Sequence, residues 1–311
     1  MTTQTDTLGR STRFTLIIPY HLGKDSDRVP MMEELWDDIP DRDDLEVLWV
    51  DDRSALAWTP RMAARTRHQR LVNDPGTPFA GGARNTGLRA AQGSWVFFAD
   101  SDDRLATHVL ADVMDTIVQH DDGTVDAWYG DMDGFIDPRC ASAERPTRHL
   151  YSNALIGRAR HRNDHRQLAL HYGPCGKIVR RSFLEAHAIR FGPWRVGEDS
   201  VFSAAVALRA QEVRYYPTAY YKIREGHETL MSKMTDAGIE GTFAAHRAVA
   251  HQLAAAGRRD LMAGAVRYTS TYLRDNPSLV LRESLRTLRA GCLFRSIASY
   301  KAALKRKLGR G

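Results

Sequence analysis

The stretch FFADSDDR, residues 97–104, places three carboxylates directly after an apolar segment. The letters FFA are typical of the end of a buried strand, and Asp100, Asp102 and Asp103 follow where the chain turns. Hard oxygen ligands at the carboxyl end of a strand suit Mg²⁺ or Mn²⁺, which keep open positions for the phosphate oxygens of a nucleotide. The stretch therefore predicts a divalent-metal site. The alternative interpretation is a solvated acidic turn, because Asp and Ser are ordinary turn residues.

On both sides of this stretch, strand-like apolar runs alternate with runs of helical spacing. The pattern predicts strands at 14–19, 45–50, 71–74 and 95–100. It predicts helices at 31–39, 61–70 and 83–93. Such alternation specifies an α/β fold with a doubly wound, Rossmann-like and mostly parallel sheet, in which ligands bind beyond the carboxyl ends of the strands. Asp52 and Asp102 both lie at such ends.

The later chain continues the pattern with one interruption. Helices are predicted at 107–120 and 197–210, a strand and turn at 125–136, a strand followed by a helix at 177–191, and extended aromatic segments at 213–225. Between them, residues 139–172 carry seven Arg and four His in loop-like sequence. This segment is either a solvated insertion or a cationic loop on the acceptor side. Beyond residue 231 the chain is predicted to be helical, which divides it into a catalytic region, 1–230, and a helical C-terminal region, 231–311.

Composition limits the function classes. In 311 residues, no stretch approaches the length of a membrane span, and the polar start lacks the apolar segment of a signal peptide, so we expect a cytoplasmic protein. Cys140, Cys175 and Cys292 are too few and too scattered for a disulfide framework or a zinc site, and we expect free thiols. The net charge is +6, but residues 274–311 hold ten Lys/Arg against two Asp/Glu. A basic tail on a near-neutral body argues against nucleic-acid binding and for a local anionic partner.

Six short motifs follow one another along the chain, and their order is informative. They are TLIIPY, VLWVDDRS, GGARNTGLRAAQGSWVFFADSDD, CGKIVRRSFL, GEDSVF and YYKIREG. This ordered set resembles the inverting family 2 glycosyltransferases of the GT-A fold and covers roughly residues 14–230. The resemblance implies a metal-dependent enzyme that moves a sugar from a nucleotide-sugar to a hydroxyl of a glycan or lipid-linked acceptor, and cell-envelope or capsular polysaccharide synthesis is the setting it suggests. A UDP-linked hexose or N-acetylhexosamine is the favoured donor, because such donors are common among relatives.

The resemblance also implies roles for individual residues. Asp199 matches the general base of the family's ED motif, and Glu198 beside it would orient the acceptor. Asp100 and Asp102 form the DxD motif that would hold Mn²⁺ or Mg²⁺, with Asp103 and His227 as further metal ligands. The nucleotide-sugar would be bound by Pro19, Tyr20, Asp51, Asp52, Arg84, Asp100, Ser101, Lys177 and Arg224.

Some of these assignments have alternatives. His227 is otherwise an exposed loop histidine, and the cation of Lys177 faces either the diphosphate or the acceptor, or it orients the chain. The sequence also departs from the family, since YHLGKDSDRVP replaces a short turn after the first strand and Arg53 stands where Gly is common. Arg53 is therefore a candidate for direct contact with the nucleotide.

The tail 279–308 places leucines among Arg and Lys in an amphipathic pattern. It either lies on an anionic membrane surface, which would put the enzyme at the inner face of the cell membrane, or packs on the catalytic domain. A processive polymerase is disfavoured because neither a multi-span region nor a QxxRW signature is present. Two alternatives of other classes are a nucleotide-sugar-binding protein without catalysis and a basic membrane-associated adaptor.

Overall fold

A computed structural model describes residues 12–24, 27–56, 58, 67–140, 145–226 and 234–292. The strands are β1 (Phe14–Tyr20), β2 (Leu45–Asp51), β3 (His68–Val72), β4 (Trp95–Phe98), β5 (Arg104–Leu105), β6 (Ala127–Ile136), β7 (Lys177–Arg180) and β8 (Val213–Glu225). The helices are α1 (Arg28–Asp38), α2 (Phe79–Ala90), α3 (Thr107–Gln119), α4 (Arg148–His161), α5 (Arg181–Ala186), α6 (Glu198–Arg209), α7 (Asp236–Ala255), α8 (Val266–Tyr272) and α9 (Pro277–Arg289), with 3₁₀ turns at His165–Leu170 and Arg259–Leu261.

The strands form one mixed sheet in the order β3-β2-β1-β4-β7-β6-β8-β5. The half formed by β3, β2, β1 and β4 is parallel, with α1 between β1 and β2 and α2 between β3 and β4. In the other half, β7 runs antiparallel to β4 and β6, while β6 and β8 are parallel and shift register between Gly130 and Met132. The predicted α/β sheet with a helical C-terminal part is confirmed.

Alternate residues of each central strand enter separate cores on the two faces of the sheet. Ile17, Val50 and Phe98 face one core, which α2, α6 and part of α7 complete. Leu16, Trp49 and Phe97 face the other core, which α1 and α3 cover. This burial on both faces explains why the strands appear as continuous apolar runs in the sequence.

Two predicted elements are corrected. Of the helix predicted at 61–70, residues 61–66 lie outside the described residues, and 68–70 belong to β3, which extends the sheet beside β2. The loop predicted over 139–172 contains α4 and a 3₁₀ turn. Helix α4 forms because Leu155, Ile156 and Ala159 are buried as one narrow face, and because the Asn153 side chain pairs with both the N–H and the carbonyl of Met132 at 2.9 and 2.7 Å.

Cys140, Cys175 and Cys292 form no disulfide with one another, as expected. Within the described ranges, no helix combines the length and apolar character that a bilayer crossing requires.

Candidate active site

The candidate site lies where the loops after the parallel strands meet the start of α6. Asp51 ends β2 and Asp52 follows it, the acidic loop 100–103 follows β4, and Glu198 and Asp199 open α6. Arg84 on α2 touches both the acidic loop and α6, so residues far apart in sequence form one cluster. This is the edge of an α/β sheet where ligands are expected.

Asp51 is a buried anchor of the first loop. Its Oδ1 accepts hydrogen bonds from the Ser54 N–H at 2.8 Å and the Ser54 hydroxyl at 2.6 Å, and its Oδ2 accepts one from Arg70 at 2.5 Å. Burial disfavours the charged carboxylate, but the bonds from Ser54 and Arg70 outweigh it and lower the pKa of Asp51. Arg70 also donates to the Tyr20 hydroxyl at 2.9 Å, and Tyr20 is buried against Trp49 and Trp58. Asp51 and Tyr20 thus form the floor of the site, with Pro19 buried in β1 beside them.

Asp52 faces the loop that precedes α2. Its Oδ1 accepts from the Asn73 amide at 2.8 Å and its Oδ2 from the Phe79 N–H at 2.9 Å. The side chain remains partly exposed, and a carboxylate has further lone pairs for a nucleotide base. Two residues around it, Arg53 with φ +57° and Phe79 with φ +76°, adopt the left-handed conformation that side chains with a Cβ disfavour.

Arg84 connects the two predicted carboxylate motifs. Its guanidinium donates to Asp100 Oδ1 at 2.6 Å and to Glu198 Oε1 at 3.1 Å, and Arg84 itself is only 4% exposed. Asn85, the next residue, exchanges hydrogen bonds with the backbone N–H and carbonyl of Phe191 at 2.9 and 3.1 Å. The ARN sequence therefore fixes the segment leading to α6 relative to the acidic loop.

The three carboxylates of the acidic loop differ in environment. The side chains of Asp100 and Asp102 are 40% and 38% exposed, and Asp102 lies 3.5 Å from the Arg28 guanidinium. Asp103 is buried, accepts from the Tyr221 hydroxyl at 2.6 Å and from the Arg224 N–H at 2.7 Å, and its pKa is raised by burial and by the charges of Asp100 and Asp102. Ser101 between them is buried.

These environments bear on the predicted metal site. In the described part of the chain, no three His, Cys, Asp or Glu side chains converge as a preformed metal cage. Asp100 and Asp102 nevertheless fit Mg²⁺ or Mn²⁺ in donor chemistry, because such ions are often held by one or two carboxylates while water and substrate phosphates complete the shell. Asp103 is already engaged on both oxygens, which favours a supporting role, and His227 lies outside the described residues.

Arg224 also supports the acidic loop. It is 6% exposed, donates to Asp137 at 2.7 Å and to Glu34 at 2.6 Å, and its Nε donates to the carbonyl of Asp102. Because its donors are used in this way, the geometry favours a role in holding the loop over the predicted contact with the nucleotide.

Glu198 and Asp199 occupy the first turn of α6, where the helix dipole favours carboxylates. The preceding Gly197 has φ +83°, and a Cβ there would lie 2.7 Å from that of Ala245, so the sharp entry to the helix needs glycine. Burial and the charge of Asp199 raise the pKa of Glu198 to about 7, against the influence of Arg84. Burial also raises the pKa of Asp199, with Arg84 acting in the opposite direction and Asp100 adding to the rise.

Lys177 lies in the interior behind α6. It is fully buried, and its ammonium donates to the carbonyls of His171 at 3.3 Å and Gly173 at 2.7 Å and to the Ser203 hydroxyl at 2.8 Å. Ser203 is one turn beyond Asp199, so Lys177 ties the segment 171–176 to the helix that carries the candidate base. Of the alternatives from the sequence, this geometry favours the one in which Lys177 orients the chain.

Several supporting residues escaped the sequence analysis. Arg70 and Asn73 contact Asp51 and Asp52 and belong to no motif. Tyr221 contacts the acidic loop and lies in the motif YYKIREG, but the sequence does not distinguish it from Tyr220. Arg28 lies in the segment that departs from the family, and that departure was the only available signal for it.

Comparison with known proteins identifies the family of the chain. Residues 16–187, just over half of the chain, match the family model described as glycosyl transferase family 2. The succinoglycan biosynthesis protein ExoO of Rhizobium meliloti (strain 1021) is 32% identical over 58% of this chain, and the putative glycosyltransferase EpsH of Bacillus subtilis (strain 168) is 27% identical over 58%. The chain spans about half the length of these relatives, 53% of each.

Among solved structures, TarS 1–349 of S. aureus in complex with UDP-GlcNAc superposes with a TM-score of 0.60 at 20% identity, over 85% of this chain and 74% of that one. At this identity the likeness shows the fold alone, and it is the fold that the sequence predicted. Because the family model matches just over half of the chain, the chain belongs to glycosyltransferase family 2.

Proposed function

We propose that this chain is an inverting glycosyltransferase that moves a sugar from a nucleotide-sugar to a hydroxyl group. One observation carries the proposal. The buried Arg84 guanidinium joins Asp100, on the proposed donor side, to Glu198, the neighbour of the proposed general base Asp199. A transferase needs donor and acceptor groups at a fixed separation, and a single shared cation provides it.

Asp199 is proposed to remove the proton from the acceptor hydroxyl as the bond to the anomeric carbon forms. Burial raises its pKa, which makes the ionised carboxylate a stronger base, and the positive charges of Arg84 and Lys177 favour that ionised form. Attack from the face opposite the leaving nucleotide inverts the anomeric centre in one displacement. Asp52 and Pro19 are proposed to contact the nucleotide base, with Asp51 and Tyr20 beneath them.

Asp100 and Asp102 are proposed to hold Mn²⁺ or Mg²⁺. A divalent ion offsets the negative charge that develops on a departing diphosphate. Asp103, Tyr221 and Arg224 keep the acidic loop in place for that contact.

We propose a UDP-linked donor, supported by the fold shared with a protein crystallised with UDP-GlcNAc. We further propose a glycan or lipid-linked acceptor in polysaccharide biosynthesis, supported by the name of the R. meliloti relative. A lipid-linked acceptor would place the enzyme in the cytoplasm at the inner face of the cell membrane, with 279–308 as the contacting segment.

The test is turnover and slow hydrolysis of a panel of UDP-, GDP- and dTDP-sugars by the wild type and Asp199→Asn. We expect Asp199→Asn to lower turnover by at least about a hundredfold, the contribution of a general base, while donor affinity is retained. Asp112→Asn, the same change at an exposed position on α3, is the matched control and should leave turnover unchanged. Donor binding without hydrolysis or transfer in the wild type would support the alternative of a nucleotide-sugar-binding protein.

A further inference from the structure

The helices α8 and α9 present an unusual concentration of exposed apolar side chains. Nine large hydrophobic side chains in the described ranges are exposed, and five of them fall within residues 266–288. These are Val266, Leu273, Leu281, Leu285 and Leu288, with exposed fractions of 40% to 54%. Single exposed apolar residues are normal on soluble proteins, but a concentration on two adjacent helices marks an interaction surface.

Helix α9 is anchored by its other face, so this exposure is not that of a loose segment. Leu279 and Val280 are buried in a small core with Phe243 and Tyr272. Glu283 is 1% exposed and accepts from Arg247 at 2.9 Å, which ties α9 to α7. One face of α9 therefore packs on the rest of the protein, which was one of the two predictions for this segment. The opposite face of the helix is exposed.

The available side of α9 is divided into two stripes. Leu281, Leu285 and Leu288 follow the spacing i, i+4, i+7 that keeps side chains on one face of a helix. Arg282, Arg286 and Arg289 follow the same spacing one position later, which is roughly 100° further around the axis. The exposed half of the helix thus carries a leucine stripe beside an arginine stripe.

Helix α8 extends the leucine stripe. The Thr269 and Ser284 hydroxyls are hydrogen-bonded at 2.7 Å, and on the helical wheel Ser284 lies at the edge of α9 next to Leu281 and Leu288. Val266 opens α8 and Leu273 is its C-cap residue; they are seven residues apart and so lie on the same side of the helix. Residues 266–289 contain five Arg against one Asp and one Glu, the buried Glu283. Arg286 pairs with Glu283 at 2.7 Å and Arg282 with Glu240 of α7 at 2.6 Å, and both arginines remain more than half exposed.

We propose that α8 and α9 together form a docking surface for an anionic lipid bilayer, with the leucine stripe entering the headgroup boundary and the arginine stripe contacting lipid phosphates. An apolar stripe beside a cationic one favours binding to an anionic bilayer. The burial of apolar surface and the attraction between arginines and lipid phosphates then both contribute to the free energy of binding. The leucines are too few for a membrane span and lie on one side of a helix fixed by its other side. The surface deepens the membrane contact of the proposed function, but it can fail while the sugar-transfer proposal stands.

The test is co-sedimentation of the full-length protein with vesicles of phosphatidylcholine alone and of phosphatidylcholine with an equal part of phosphatidylglycerol. We expect binding to the anionic vesicles, weakened by salt, and much weaker binding to the neutral ones. Arg282→Gln/Arg286→Gln/Arg289→Gln should weaken anionic binding by at least about fivefold, the contribution of one arginine, since Glu240 and Glu283 already offset part of the charge of Arg282 and Arg286. Leu281→Ser/Leu285→Ser/Leu288→Ser should weaken it by at least about tenfold.

Matched controls exist on α4. Leu150 is 54% exposed, the same as Leu281 and Leu285, and Arg158, Arg160 and Arg162 are exposed arginines. Leu150→Ser and the triple exchange of these arginines to Gln should leave vesicle binding unchanged, and donor binding by every variant reports an intact fold.

Three results would overturn the proposal. One is that the wild type does not bind anionic vesicles, and another is that the leucine variant binds as the wild type does. The third is a concentration-dependent dimer that the leucine exchanges dissociate without any vesicle binding, which would assign the face to a second copy of the chain.

Discussion

Replacing Arg84 with Met removes the cation that joins the two carboxylate motifs. The guanidinium is buried and pairs with Asp100 at 2.6 Å and with Glu198 at 3.1 Å. Asp100 can be rehydrated, since its side chain is 40% exposed, but Glu198 is 8% exposed and would lose its positive partner. Breaking a buried pair by removing one member costs about 3–5 kcal/mol. We take the lower end, about 3 kcal/mol in the free energy of unfolding, because Glu198 can bind a proton and so avoid a buried, unpaired charge.

The pH dependence follows from the pKa of Glu198. In the wild type it is raised from 4.5 to about 7, so the folded state binds a proton that the unfolded chain releases, and stability falls as pH rises from about 4.5 to 7. Arg84→Met raises this pKa further and extends the fall above pH 7, at up to about 1.4 kcal/mol for each pH unit. The deficit of the variant should therefore be small at pH 6 and about 3 kcal/mol at pH 9, a drop in Tm of roughly 6–12 °C.

The assay is thermal and denaturant unfolding of the wild type, Arg84→Met, Glu198→Gln and the double variant at both pH values. The double variant lacks the Glu198 carboxylate that loses its partner in Arg84→Met, so it should recover most of the deficit at pH 9. An equal deficit of Arg84→Met at pH 6 and pH 9, or a double variant as unstable at pH 9 as Arg84→Met, would refute the reasoning.

Two further changes test supporting residues. Lys177→Met should abolish the gain in stability on raising the pH from about 7 towards 10, because burial lowers the pKa of Lys177 from 10.5 to about 7 and only the unfolded chain holds that proton in between. Unfolding at pH 7, 8 and 9 measures the slope of the free energy of unfolding against pH. Lys222→Met is the control and should keep the wild-type slope. The same slope in Lys177→Met would contradict the lowered pKa of Lys177. Arg53→Gly should not destabilise the protein. Arg53 has a φ of +57°, and the strain that glycine relieves there offsets the larger conformational entropy that glycine loses on folding. Arg158→Gly, on the exposed side of α4, should lower the free energy of unfolding by about 1 kcal/mol. A loss of similar size in both variants, measured by urea unfolding, would show that Arg53 is held by contacts that outweigh the strain.

The parallel half of the sheet could be predicted because the features that specify its strands lie within short stretches of the sequence. Buried strands such as β1, β2 and β4 are mainly apolar runs, and the aspartates at the ends of β2 and β4 come directly after the last apolar residue. Helix α4 could not be recognised, since Leu155, Ile156 and Ala159 are its only buried apolar residues and arginines surround them in the sequence. β3 was assigned in part to a helix because an edge strand with a polar face, HQRLV, has no strong period.

The site was predicted residue by residue but not as an arrangement. Arg84 and Glu198 are 114 positions apart, and nothing in either motif indicates that they pair. Lys177 and Arg224 were expected at the nucleotide, because a cation near a phosphate site suggests a ligand. The structure instead shows both with their donors engaged in the interior, a distinction that depends on burial and therefore on the whole fold.

The central claim is a nucleotide-sugar site completed by a divalent ion on Asp100 and Asp102. The most direct measurement is calorimetric titration of UDP-GlcNAc and the other donors of the panel into the wild type and Asp102→Asn, with Mn²⁺ and with a chelator. The account predicts that one donor binds in the presence of Mn²⁺ and that binding is weakened by at least about tenfold both by the chelator and by Asp102→Asn. Equal donor affinity with Mn²⁺ and with chelator, or no binding of any donor by the wild type, would contradict it.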